Sequence, residues 1–282
     1  MEHTEDNSPA MDDVIESPRT NSASEKTEDI RPFLAPCRKV GLDAPMRWLK
    51  LGWQDFRNIP RLSFGYGLVM TLISILIISI AWSAHSFVLA IALIGGFFFI
   101  GPAIAIGLYS MSRQLENGIK PLLMRCVREG RKNFSNEMIL AFIFLIIFLI
   151  WARSASMVHI FFPSFGQATA ADLTMFLSIG SAVGAVFATV VFCVGAFSIP
   201  MMMDRDVDAV TAVITSVCAV LRNKTTMLIW GLLVVASVLI GILAGFIGLA
   251  VTLPVIGHAT WHAYREVIDA DAWERNPGVN KD

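Results

Sequence analysis

The sequence predicts an all-α polytopic membrane protein: six transmembrane helices, arranged as three repeats of a cytoplasmic amphipathic helix followed by a helical hairpin. Three observations predict it. The chain of 282 residues is 55% hydrophobic and only 16% charged, with a mean hydropathy of +0.62, whereas soluble domains average about 45–50% apolar and about 25% charged residues. Uncharged stretches of membrane-spanning length recur along it. The Lys and Arg residues between those stretches fall almost entirely on alternate sides. This composition argues against a soluble enzyme, a disordered scaffold or a nucleic-acid binder.

Taken in order, residues 1–30 hold nine acids against Arg19 and Lys26, with almost no large apolar side chain. They cannot bury enough surface to offset ordering entropy, so an acidic disordered tail is expected. No basic segment leads into an apolar run there, so the tail does not read as a signal peptide. A bilayer core about 30 Å thick needs about 20 apolar residues of helix. Leu62–Trp82, Phe87–Ser112, Met138–Ala152 and Leu173–Met203 supply four such uncharged stretches, the third ending at Arg153. Thr225–Tyr264 is 40 residues without a charge, too long for one span of ordinary tilt and right for two. Gly241, Gly245 and Gly248 mark its reversal. The alternative is five spans with a re-entrant end.

Basic residues fix the expected orientation. Arg31 to Arg61, Arg113 to Lys132, Arg205 to Lys224 and Arg265 to Lys281 would share one side, and Arg153 alone the other. Both termini are therefore expected in the cytoplasm. An odd number of spans would put Arg265, Arg275 and Lys281 outside, which favours six. The cysteines Cys37, Cys126, Cys193 and Cys218 lack metal-site spacing and read as free thiols.

The repeat rests on three amphipathic segments. In Leu42–Ile59 the expected apolar stripe is Leu42, Met46, Leu49, Trp53 and Phe56, with Arg47, Lys50, Gln54, Arg57 and Asn58 opposite. That pattern suits a helix lying in the headgroup plane. Ile119–Phe134 gives a second such helix. Val207–Leu221 gives a third, with Val207, Val210, Ile214, Val217, Cys218 and Leu221 as its stripe. The segments end alike, at Arg57-Asn58, Lys132-Asn133 and Arg222-Asn223. Ala44 and Ala209, each following an aspartate, stand 14 residues before Asn58 and Asn223. Each even span carries a late proline: Pro102, Pro200 or Pro254. The copies run over about residues 42–112, 118–203 and 206–265, inside a membrane domain of residues 40–268, with a polar tail of residues 269–282.

Proline removes a donor and frees the carbonyl four residues earlier. In a bilayer that carbonyl must find a protein or water partner. Three such kinks near the cytoplasmic face could converge on one cavity, or simply serve packing. Charged residues all lie at span ends or outside them, which weighs against an ion-coupled transporter with midplane carboxylates. His258 and His262, at i and i+4, share a helix face. Two imidazoles there suit zinc, copper or haem iron. The alternative is an interfacial belt of Trp261, His262, Tyr264 and Arg265. Asp204-Arg205-Asp206-Val207-Asp208 reads as a helix cap, or as carboxylates paired with neighbouring arginines. Gly180, Gly184 and Ala188 suggest close helix packing or a dimer face. No nucleophile elbow, phosphate loop or zinc-protease motif is present. No catalytic residues are assigned and no cofactor is expected beyond the metal or haem possibility.

Three stretches carry a family resemblance: WLKLGWQDFRNIPRLSFGYGLV (Trp48–Val69), IGPAIAIGLYSMSRQLENG (Ile100–Gly118) and LPVIGHATWHAYREVI (Leu253–Ile268). Together they resemble the bacterial integral-membrane family called domain of unknown function 2189, over roughly residues 40–268. The resemblance implies a multi-span bacterial inner-membrane protein and supplies no established activity. Expected functions are a scaffold, assembly or lipid-contacting module, or else a carrier or channel with a cavity at the kinks. Expected partners are the bilayer and a second copy or another membrane protein, not nucleic acid.

Overall fold

A computed structural model describes residues 34–83, 105–126, 134–160 and 169–276. The expected acidic tail, Pro102 with most of the second span, and part of the second amphipathic segment lie outside them. The described residues are helical, with two isolated β-bridges, Cys37 with Ile268 and Arg205 with Arg275. We number the helices α1 (Ala44–Asn58), α2 (Pro60–Ser83), α3 (residues 105–116), α4 (Phe134–Ile160), α5 (Ala170–Asp204), α6 (Ala209–Arg222), α7 (Lys224–Leu243) and α8 (Leu249–Val267).

Four of these helices are long and apolar enough to cross a bilayer: Pro60–Ile80, Ser135–Met157, Ala170–Asp204 and Lys224–Leu243. The expected reversal within Thr225–Tyr264 is present. α7 ends at Leu243, and Gly245 and Phe246 take positive φ of 70° and 66° before α8 begins. A glycine tolerates that conformation at no steric cost. α8 is 19 residues long, and its second half carries His258, His262, Arg265 and Glu266. That half is buried in protein, so α8 does not have the uniform apolarity of the other four.

α5 has 35 residues, about 52 Å of helix, against a hydrocarbon core of about 30 Å. A capping box of Thr169 and Asp172 starts it. Its buried residues are Val194 and the run Phe197–Asp204, all at its C-terminal end. There the ends of α5, α7 and α8 meet α1 and α6, around Trp48, Phe197, Met201, Trp230, Trp261 and Tyr264. This basic end is the packed core. α8 is its hub, lying against α1, α2, α5 and α7.

The structure shows which face of each amphipathic helix packs on protein. α1 turns Ala44, Pro45, Trp48, Gly52, Asp55 and Phe56 inward onto α8. Leu42, Met46 and Trp53 of the expected apolar stripe are exposed, while Phe56 of that stripe is buried. α6 likewise buries Ala209, Thr211, Ala212, Thr215, Ser216, Ala219 and Val220 on α5, leaving Val210 and Leu221 exposed. The reason is distance. A Cβ on Gly52 would lie 2.5 Å from the Val255 carbonyl oxygen and 2.6 Å from the Ala259 nitrogen. Small residues permit that approach and bulky ones do not. The expected close-packing stripe also differs: a Cβ on Gly180 or Gly184 would meet open space among the described residues.

α6 keeps the expected cap. Asp208 accepts from the Thr211 backbone N–H at 3.0 Å. Burial alone would raise its carboxyl, but the hydrogen bonds from Thr211 and the neighbouring backbone outweigh it and hold the group below the ordinary value. A lowered folded value gives stability that is present above the unfolded value and lost as pH falls through the folded one. Asp208→Ala is therefore expected to cost about 1 kcal/mol at neutral pH. Thermal melts of the two proteins should converge below about pH 4.

Candidate functional site

His258 and His262 are brought together with residues from three other helices. Ser112 of α3 donates to Asp55 Oδ2 of α1 at 2.8 Å. The Ser112 oxygen lies 2.7 Å from His258 Nδ1. Since Ser112 has one hydroxyl proton, already given to Asp55, His258 Nδ1–H must donate to Ser112. His258 Nε2 is then an acceptor, and the Ser63 hydroxyl of α2 reaches it at 3.0 Å. His262 Nε2 donates to the same Asp55 oxygen at 2.9 Å. Ser63, Ser112 and His258 have no exposed surface. The result is one chain of hydrogen bonds, Ser63 to His258 to Ser112 to Asp55, with His262 converging on its end.

This arrangement bears on metal binding. Both His258 ring nitrogens are engaged by serines, and the His262 nitrogen by a carboxylate. Among the described residues no group of three or more His, Cys, Asp or Glu has metal-holding geometry.

Asp204, Trp261, Tyr264 and Arg265 form a second cluster beside the first. Asp204 Oδ2 accepts from the Tyr264 hydroxyl at 3.0 Å, Arg205 Nε at 3.1 Å and Arg265 at 3.4 Å. Arg265 Nε and Trp261 Nε1 also donate to Glu116 of α3, at 3.1 and 2.9 Å. Asp204 is thus an ion-pair centre, the second of the readings for its motif, with its partners on α8 and on Arg205 rather than on the surface helices. Burial alone would lower Arg205, but Asp204 and Asp271 outweigh it and hold the guanidinium above its ordinary value.

The carboxyl end of α5 is closed from outside. Arg113 donates to the Met203 carbonyl at 2.6 Å. The Asn276 amide donates to the carbonyls of Met202 at 2.8 Å and Arg205 at 2.9 Å. A cation and a side-chain donor there satisfy the last orphan carbonyls and complement the helix dipole. The stretch after α8 is therefore packed: Trp273 is buried, and its carbonyl accepts from Arg205.

Of the three late-span prolines, the two described ones sit one turn before the clusters, Pro200 before Asp204 and Pro254 before His258. Pro254 frees the Ala250 carbonyl, which lies against α2 where a Cβ on Gly67 would stand 2.1 Å away. A second group interrupts α5 just before Pro200. The Ser216 hydroxyl of α6 accepts from Phe197 N at 3.1 Å and donates to the Cys193 carbonyl at 2.7 Å. It stands inside an i to i−4 bond of α5, and such an insertion bends a helix.

A slot of about 390 Å³ opens nearby, walled by Met46, Leu49 and Trp53 of α1, Ser237 of α7, and Val251, Thr252 and Val255 of α8.

Residues 88–204 match a family model described as predicted integral membrane protein (DUF2189). Over that segment the chain is similar to the DUF2189 family. The match takes in the Ile100–Gly118 run and ends at Asp204, the ion-pair centre. The other two stretches that resemble the DUF2189 family, Trp48–Val69 and Leu253–Ile268, lie outside the matched residues. No curated protein and no solved structure matches the chain. The chain is a helical integral membrane protein with several apolar helices.

Sequence reasoning missed Asp55, Ser63, Ser112, Glu116, Arg113 and Asn276 as members of these clusters. Asp55 had one available signal, as the single acid within the otherwise basic and neutral α1 segment Ala44–Asn58.

Proposed function

We propose that the chain is a non-enzymatic module of the bacterial inner membrane, a scaffold, assembly or lipid-contacting protein with six spans and cytoplasmic termini. One observation carries it. The polar groups of the basic end are spent on one another, His258 on two serines and Asp204 on Tyr264 and two arginines. Meanwhile large apolar side chains such as Leu228, Leu232, Val235 and Leu239 face outward. Polar groups locked pairwise hold a shape, and outward apolar faces make contacts.

The repeat fits this reading. α1 lies on α8, and α6 lies on α5. In each pair the amphipathic helix of one copy crosses the proline-bearing helix of another, with Ala44 and Ala209 buried at matching places.

A carrier is the second reading. It is favoured by the slot, whose residues Val251, Thr252 and Val255 bracket Pro254. Proteoliposomes separate the two. The module reading expects no proton or solute flux above protein-free vesicles, and flux that Pro254→Ala alters would establish the carrier. Reporter fusions test the orientation: a fusion near Arg128 is expected inside the cell and one near Gln167 outside, and the reverse would overturn it. Metal analysis and an absorption spectrum of the purified protein check the His258 and His262 ligand reading.

A further inference from the structure

We propose that the slot between α1, α7 and α8 seats one anionic phospholipid, with an acyl chain inside and the headgroup phosphate at Lys50. The inference rests on the lipid-contacting reading and names its ligand class.

Three observations converge on that slot. Its position is the first. One wall is α7, a helix apolar enough to span a membrane, so the slot opens on a flank that faces lipid. From Lys224 to Ser237 α7 rises about 20 Å, the reach of an acyl chain laid along it from the headgroup level.

The second is the outward stripe of α1. Met46 and Trp53 are 59% and 45% exposed although apolar, and they line the slot while the opposite face of α1 is packed on α8. An apolar stripe edged by basic residues, with tryptophan on it, is the pattern of a helix at the headgroup boundary.

The third is charge. Among the described residues that line the slot, Lys50 is the only charged one. Among the described residues no carboxylate lies within ion-pair distance of it, whereas its neighbour Arg47 is held by Asp43 and Glu266. A lysine whose stem lines an apolar wall carries its ammonium to the water boundary, where a phosphate would sit.

The test uses the purified full chain, equilibrated with equal amounts of phosphatidylglycerol and phosphatidylcholine and read by native mass spectrometry. The wild-type chain is expected to retain one phosphatidylglycerol with about a fivefold preference, the factor for one basic residue at an anionic headgroup. Lys50→Gln and Lys50→Glu should bring the preference to parity or below. Equal retention of both lipids by the wild-type chain overturns the proposal, as does an undiminished preference in Lys50→Glu. So does a polypeptide, rather than lipid, cross-linked through Met46→Cys. Parity of the lipids with no flux in proteoliposomes removes the seat and leaves the module reading standing. Flux removes the module reading whatever the lipid result.

Discussion

Gly67→Ala should lower stability by about 3 kcal/mol, because the added methyl would stand 2.1 Å from the Ala250 carbonyl oxygen and 2.6 Å from the Pro254 ring. Neither obstacle is the tip of a flexible side chain. Both belong to the backbone or ring of α8, so α2 must move away. That movement also pulls Ser63 from His258, since both contacts lie along the same helix pair. The same substitution at Gly180 serves as the control. A Cβ there meets open space among the described residues, and alanine is the better helix former, so a gain of about 0.5–1 kcal/mol is expected. Thermal unfolding in one detergent reads both. A destabilised Gly180→Ala would reveal a partner packed on that face in the membrane, as a homo-oligomer requires.

Asp55→Ala is the second large expected effect, a loss of about 3 kcal/mol. The carboxylate is only 8% exposed and accepts from both Ser112 and His262. Truncation leaves those two donors without an acceptor, one of them fully buried. The Ser112 proton would then have to turn elsewhere, and the His258 tautomer would lose its reason. Asp55→Asn keeps an acceptor oxygen and should cost about 1 kcal/mol. Equal losses for Ala and Asn would mean that the charge, not the acceptor, matters there.

Four of the six expected spans were legible because hydrocarbon imposes length and excludes charge, and both are visible in a single chain. The α7–α8 reversal was legible because a positive φ favours glycine, and Gly245 stands where the uncharged run needed to turn. The faces that α1 and α6 pack on protein were not. A helical wheel ranks residues by bulk apolarity and so picks Met46 and Trp53. At a membrane boundary the protein side is chosen by closeness of approach, which selects Gly52 and Ala44, and the bulky residues face away. Half of the histidine site was legible, since i and i+4 spacing is local. The other half joins residues 57 and 195 positions apart, Asp55 with Ser112 and Ser63 with His258. A single serine in an apolar helix carries no local mark of such a contact.

The seal on α5 has a temporal consequence. Asn276 and Arg205 join residues that leave the ribosome some 71 positions apart, and the early strap closes on equally late chain, Arg38 N–H donating to the Val267 carbonyl. The apolar rods can enter the bilayer one after another as they are made. The packed basic end they share cannot lock until translation is nearly over, so a nascent protein halted short of Trp273 would be inserted yet unlatched.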